Sequence, residues 1–328
     1  METRTLKKSC PNGRACSGGS GSSPAGQTIL VSGLRGFTGQ YLASSLRARG
    51  AQIIGLVQGD AQNADEISAD LTDAASVKAA VTQVQPTHVV HLAGLAFVGH
   101  GDAQAFYAVN LFGTLHLLEA LNTLKTPPRR ILLASSANVY GTPAVEVIDE
   151  SICPAPVNHY ACSKLAMEHM AHTWLDKLPI VITRPFNYTG VGQDDKFLIP
   201  KIVNHFKRRA PYIELGNLDV SRDFSDVRDV VERYVHLLLD AEDVAGQTFN
   251  VCSGQAHSLR EIMALIEQLS GHSLDVRVNP AFVRANEVPR LLGSAARLQQ
   301  YLGLFSPIPM KQTLRWMLDG RSRLLPRF

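Results

Sequence analysis

Tyr160 and Lys164 lie four residues apart in a stretch of helical pattern, which brings a phenol and an ammonium to one face. A free tyrosine ionises near pH ~10, too high for easy proton exchange at neutrality. A neighbouring lysine cation favours the phenolate, so the spacing predicts that Lys164 draws the Tyr160 pKa down toward the range of an acid–base catalyst. Taken alone, the same pair on an amphipathic helix is usually just a solvated surface couple. The elements around it must decide. Ser136, a hydroxyl at the carboxyl end of an apolar run, is the first of them.

A short β-branched and apolar run at 28–32 enters a turn with Gly33, Gly36 and Gly39, and a helical pattern follows over 40–49. Strand, glycine-spaced turn and helix together suit a dinucleotide, because the glycines let the backbone approach a pyrophosphate seated on the helix N-terminus. Further strands are predicted at 52–58, 89–93, 131–134 and 180–183, the last stopped by Pro185, with a long helix over 105–124 between them. This alternation predicts a doubly wound parallel α/β sheet whose ligands bind at the carboxyl strand ends. The glycine turn, Ala93 with Gly94, Ser136 and Arg184 with Pro185 all fall on that edge. Beyond Pro185 the pattern loosens: a loop over 187–196, helices over 199–209 and 227–241, a short strand at 248–252 able to rejoin the main sheet, and a capping box at Ser258 and Glu261 opening a helix to 269. The predicted units are a flexible extension (1–26), a dinucleotide domain (27–186 with about 225–255) and a smaller, partly interleaved α/β domain (187–224 and 256–328), with substrate in the cleft between the last two.

Composition fits a globular enzyme. Charged residues are 19% and the net charge is +3, too small to argue for nucleic acid as a partner. No apolar run reaches the ~18 residues a membrane span needs, and residues 1–26 lack the apolar core of a secretory signal. Cys10, Cys16, Cys153, Cys162 and Cys252 show neither metal-ligand spacing nor an even disulfide framework, which suits a reducing cytoplasm and no metal. Cys162 reads as a packing residue, because Lys164 is the one group near it able to lower its pKa.

Gly33 to Gly39, Asp70 with Leu71, the run from His91 to Gly94, Asn110 with Gly113 and Thr114, Ser136, and Tyr160 with Lys164 resemble, in order, the extended short-chain dehydrogenase/reductases that act on nucleotide sugars. The segments 184–187, 215–224 and 250–254 are similar to the branch holding the GDP-mannose dehydratases and GDP-4-keto-6-deoxymannose reductases. The resemblance implies a Rossmann sheet and a catalytic set of Ser136, Tyr160 and Lys164. It implies cofactor contacts from Gly33, Arg35, Gly36, Phe37, Thr38, Gly39, Asp70, Leu71, Leu92, Ala93, Gly94, Asn110, Tyr160, Lys164 and Pro185. Substrate contacts are implied for Ser136, Asn187, Asn217, Arg222, Arg284 and Glu287. An arginine suits a pyrophosphate because its planar fork donates parallel hydrogen bonds.

One departure separates activities. Dehydratases of the family carry one or two carboxylates directly after the serine or threonine, and Ala137 and Asn138 stand there instead, neither able to exchange a proton. Hydride transfer alone remains. The expectation is reduction of the C4 keto group of a nucleotide-linked 4-keto-6-deoxyhexose, GDP-4-keto-6-deoxymannose foremost, giving GDP-D-rhamnose or its 4-epimer. Arg35 points to NADPH through a 2′-phosphate, with NADH as the other possibility. The rival readings are a nucleotide-sugar 4-epimerase holding NAD tightly and a regulatory dinucleotide-binding protein. The family also implies a homodimer, through the helices at 105–124 and 160–178.

Overall fold

The computed structural model describes residues 26–96, 101–282 and 290–320. Its first half alternates as the hydrophobic pattern requires: β1 (Thr28–Ser32), α1 (Phe37–Ala48), β2 (Gln52–Val57), β3 (Glu66–Ser68), α2 (Ala74–Val84) and β4 (His88–His91). A helical run follows as α3 (Ala103–Phe106), a π-helical stretch (Tyr107–Phe112) and α4 (Gly113–Asn122). Next come β5 (Arg130–Ala134), a 3₁₀ turn (Ala137–Tyr140), α5 (His159–His172) and β6 (Ile180–Pro185).

Seven parallel strands form the main sheet in the order β10-β6-β5-β4-β1-β2-β3, where β10 is Thr248–Val251. Alternate residues of each strand feed two apolar layers. Ile29, Val31, Val90 and Leu132 pack with α1 and with Val230 and Tyr234, whereas Leu30, Val89, Ile131 and Leu133 pack against α2, α4 and α5. Most of these side chains are fully buried, each worth about 1.5–3 kcal/mol relative to exposure. Both faces are covered, so the strands read as continuous apolar runs.

After β6 the chain forms β7 (Asn187–Thr189), α6 (Leu198–Lys207), β8 (Tyr212–Leu215), β9 (Ser221–Asp226) and α7 (Val227–Leu239). Then β10 re-enters the main sheet beside β6, as the sequence suggests. The remainder is β11 (Ala256–Ser258), α8 (Leu259–Ser270), β12 (Asp275–Val278), β13 (Arg290–Leu291), α9 (Ala296–Leu302) and α10 (Met310–Asp319). Helices α6, α8 and α10 enclose a separate apolar cluster with Ile213 and Phe224. Ser258 and Glu261 make both bonds of the expected capping box.

Several boundaries differ from the sequence reading. β6 continues through Pro185, whose missing N–H is tolerated at a strand end. The helix over 105–124 is broken by its π-helical stretch, and α5 ends at His172 in turns. The short strands β3, β7, β11 and β13 carry too few residues to show a period.

Candidate active site

The switch point of strand order lies between β1 and β4, where the following loops diverge. Gly33 turns there at φ +76°, and a Cβ on it would meet Ala93 N at 2.9 Å. A Cβ on Gly39 would strike Gly33 O at 2.2 Å, so only glycine lets α1 start this close to β1. The N-cap of α1 is Gly36, which has no side chain to cap the helix, so its first N–H groups and the positive end of its dipole are left for an anion. This cradle fits a dinucleotide pyrophosphate.

Ser136, Tyr160 and Lys164 converge as expected, and all three are buried. Ser136 caps the 3₁₀ turn after β5, accepting the Asn138 N–H at 3.2 Å, and its hydroxyl lies near enough to the buried Tyr160 phenol to favour the phenolate. Asn158 caps α5 through the Ala161 N–H, fixing the start of the helix that carries Tyr160 and Lys164. Lys164 Nζ donates to Ala134 O at 2.8 Å, and a Cβ on Gly94 would lie 3.3 Å from Nζ. Lys164 and Asn110 therefore flank Gly94 at the end of β4.

The expected effect of Lys164 on Tyr160 is not what the structure shows. Burial pushes the Tyr160 pKa up to about 12, opposed by the Ser136 hydroxyl and reinforced by Tyr188. Burial also pushes Lys164 down to about 8, with Glu168 opposing it. Desolvation wins at both groups because each sits in the protein interior, and the ammonium is directed at the β5 carbonyl. The buried Tyr160 phenol keeps its proton at neutral pH.

Two buried networks support this set, and neither is apparent from spacing. The Thr114 hydroxyl donates to Asn110 O at 2.8 Å, so it accepts from His91 Nε2 at 3.0 Å. His91 Nδ1 is then the acceptor for Ser32 Oγ at 2.6 Å, and Ser32 Oγ accepts the Ala93 N–H. His91 is neutral, its pKa driven to about 3 by burial and by the Lys164 charge. Asn110 Nδ2 continues to Ser163 Oγ at 3.0 Å, and Ser163 donates to Tyr160 O at 2.8 Å. One chain of hydrogen bonds thus joins the residue before the glycine turn to the backbone of α5. The π-helical stretch holding Asn110 is a distortion common at functional sites.

In the second network Arg184 gives Nε and Nη2 to Glu168 at 3.0 and 2.6 Å and Nη1 to Tyr140 Oη at 2.9 Å. Tyr140 donates to Asn250 Oδ1 at 2.8 Å. Burial lowers the Arg184 pKa, but the Glu168 bonds more than reverse it. The network ties α5, β6 and β10 together beneath the site.

The other expected residues divide. Leu92, Ala93 and Pro185 stand at the ends of β4 and β6; Asp70 caps its own loop through Thr72, and Leu71 packs under Gly113. Thr38 Oγ1 meets the Tyr188 hydroxyl at 2.8 Å, whereas the Phe37 ring stacks on Tyr188. Arg35 gives a bidentate grip to Glu66, with Nε–Oε1 at 2.9 Å and Nη2–Oε2 at 2.7 Å. Asn187 is exposed on β7. Asn217 Oδ1 accepts the Asp219 N–H, and Arg222 Nη1 donates to Ser221 O on β9. Arg284 and Glu287 lie outside the described residues. Of the two positions where dehydratases carry acids, Ala137 is buried and Asn138 exposed.

Asp223 is a further residue missed by sequence. Fully buried, it accepts the Ser253 N–H and hydroxyl at 2.9 and 2.6 Å and the Gly254 N–H at 2.9 Å, clasping the loop after β10 to β9. Among the described residues no group of three or more His, Cys, Asp or Glu side chains is placed to hold a metal ion.

Sheet order, glycine cradle and the Ser-Tyr-Lys set define an extended short-chain dehydrogenase/reductase, an enzyme class that works with a nicotinamide dinucleotide. More narrowly, the family profile for GDP-mannose 4,6 dehydratase matches residues 30–317, and the chain belongs to that family. It is 36% identical to the GDP-6-deoxy-D-talose 4-dehydrogenase of Aggregatibacter actinomycetemcomitans, over 84% of this chain and 91% of that protein. Identity to the GDP-6-deoxy-D-mannose reductase of Pseudomonas aeruginosa is also 36%, over 91% and 98% of the two chains. Among solved structures, RMD from Pseudomonas aeruginosa complexed with NADPH superimposes with a TM-score of 0.79 at 34% identity, covering 90% of this chain and 97% of that one. A Burkholderia cenocepacia J2315 protein described as a candidate epimerase superimposes with a TM-score of 0.83 at 47% identity, covering 90% and 98%.

Proposed function

We propose that this chain reduces the C4 keto group of GDP-4-keto-6-deoxy-D-mannose, giving GDP-D-rhamnose or its 4-epimer GDP-6-deoxy-talose. The observation that carries the reading is the buried Tyr160 phenol set beside Ser136 and Lys164, with no carboxylate at 137 or 138 to perform an elimination. The two GDP-sugar relatives support the substrate class. When bound, the reduced dinucleotide supplies the hydride. Tyr160 gives its proton to the oxygen developing negative charge at C4, while Ser136 hydrogen-bonds the same oxygen. Lys164 holds the nicotinamide ribose, and Gly33, Gly36 and Gly39 with Thr38 and Ala93 hold the dinucleotide. Asn187, Asn217, Arg222, Arg284 and Glu287 take the sugar nucleotide.

The same reading assigns the dinucleotide to 27–186 with about 225–255, and the nucleotide sugar to 187–224 with 256–328. Arg35 favours NADPH, as does the NADPH complex of the similar reductase. It further takes the enzyme as a cytoplasmic homodimer; no helix among the described residues is long and apolar enough to cross a membrane. Incubation with GDP-4-keto-6-deoxymannose and NADPH or NADH tests the proposal. Loss of absorbance at about 340 nm with formation of a GDP-6-deoxyhexose is expected. Interconversion of 4-hydroxy epimers with no net cofactor consumption instead establishes the epimerase reading.

A further inference from the structure

The turn carrying Arg35 is pressed onto β2, where a Cβ on Gly55 would meet Leu34 Cδ2 at 2.2 Å. Gly55 pairs in register with Glu66 of β3, and this brings a carboxylate to Arg35 from 31 residues away. Glu66 uses both oxygens on the guanidinium and also accepts the N–H groups of Gln62 and Asn63 at 2.8 and 3.1 Å. Arg35 Nη2 in addition donates to Asp60 O at 2.8 Å, in the loop just after β2. The guanidinium is therefore fixed in place, with Nη1 making no hydrogen bond among the described residues. Arg47 and Asp65 form a second pair in the same groove of about 610 Å³, so its walls carry no surplus positive charge.

We propose that Glu66 sets the choice between the two nicotinamide cofactors, its carboxylate cancelling the charge of Arg35 beside the 2′-phosphate position and so restraining the preference for the phosphorylated dinucleotide. The inference rests on the reading of Arg35 as the 2′-phosphate partner. A phosphate at the open Nη1 edge is attracted by the arginine and repelled, from slightly farther away, by Glu66. The Arg35 bonds hold the Glu66 carboxyl down to about 2, so this repulsion is present throughout the working pH range. The Glu66 side chain is buried but that of Arg35 is 37% exposed, so the pair is partly screened by salt and the restraint is graded and not absolute.

The test is Glu66→Gln, which keeps side-chain length and one acceptor for the 62–63 backbone while removing the charge. kcat/KM is measured with NADPH and with NADH, and the affinities of adenosine 2′,5′-bisphosphate and 5′-AMP are measured without turnover. The NADPH to NADH ratio should rise about tenfold through KM, and the bisphosphate should bind about tenfold tighter while 5′-AMP is unchanged. Glu66→Ala should shift both readouts the same way, and Glu66→Asp should stay near the parent. An unchanged or lowered ratio in the neutral variants overturns the proposal. Arg35→Gln tests the underlying reading separately: if it leaves the parent's discrimination intact, Arg35 is not the phosphate partner, whatever the Glu66 variants do.

Discussion

Replacing Lys164 with methionine should lower turnover at least ~10-fold and yet leave the folded protein as stable as before or more so at neutral pH. Lys164 is buried, and its pKa falls from the usual 10.5 to about 8. Below pH 8 the folded and unfolded chains both carry the proton, and the folded chain bears the full cost of burying the charge. A drop of that size corresponds to about 3 kcal/mol. Methionine keeps an apolar stem of similar length and relieves that cost. Against this stands the lost bond from Nζ to Ala134 O at 2.8 Å, a charged hydrogen bond of about 1.5–3 kcal/mol. The net at pH 7 is a gain of about 0–2 kcal/mol, where removal of a buried hydrogen bond alone predicts a loss.

The pH dependence is the sharper test. Between pH about 8 and 10.5 the unfolded parent holds a proton that the folded parent has released, so parent stability gains from this group as pH rises. The variant lacks the group. Its advantage should therefore shrink by about 3 kcal/mol from pH 7 to pH 10.5, while contributions common to both proteins cancel. Urea unfolding followed by the fluorescence of Trp174 and Trp316, at several pH values across this range, measures the difference. Turnover should fall at least ~10-fold in the same variant. A stability difference that is flat with pH, or a loss above about 1.5 kcal/mol at pH 7, would refute the reasoning.

Tyr160→Phe should lower kcat by roughly 10²–10⁴-fold with little change in cofactor affinity, as measured by steady-state rates and dinucleotide titration. Because the Tyr160 pKa is raised to about 12, keto reduction by the parent should show no loss traceable to this phenol from pH 6 to 9, whereas alcohol oxidation, which needs the phenolate, should climb steadily over that range. Arg184→Met should cost about 3–5 kcal/mol in urea unfolding, since it strands the Glu168 carboxylate with 2% of its side chain exposed. Combining it with Glu168→Gln should recover more than half of that loss, because the stranded charge is then gone.

How far the sequence could be read follows from the range of the interactions involved. The glycine turn, the buried strands and the α5 pair are local patterns, and each appears where the spacing requires. Tyr160 shows the limit. Its helix position was legible, but its pKa is governed by desolvation, which depends on everything packed around it; the proximity of Lys164 in sequence therefore gave the wrong sign. His91, Glu168 and Asp223 are missed for a related reason. Their partners are brought to them by strand pairing or helix packing from 16 to 59 residues away, and no periodicity encodes such a meeting. Glu66 is the clearest case: a three-residue strand has no detectable period, yet its register against Gly55 puts a carboxylate on Arg35. Spacing brought Tyr160 and Lys164 to one face of α5, but their charge states depend on burial, which spacing does not encode. On the proposed reading, burial keeps Tyr160 protonated for reduction and Glu66 counters Arg35 where the cofactor is chosen.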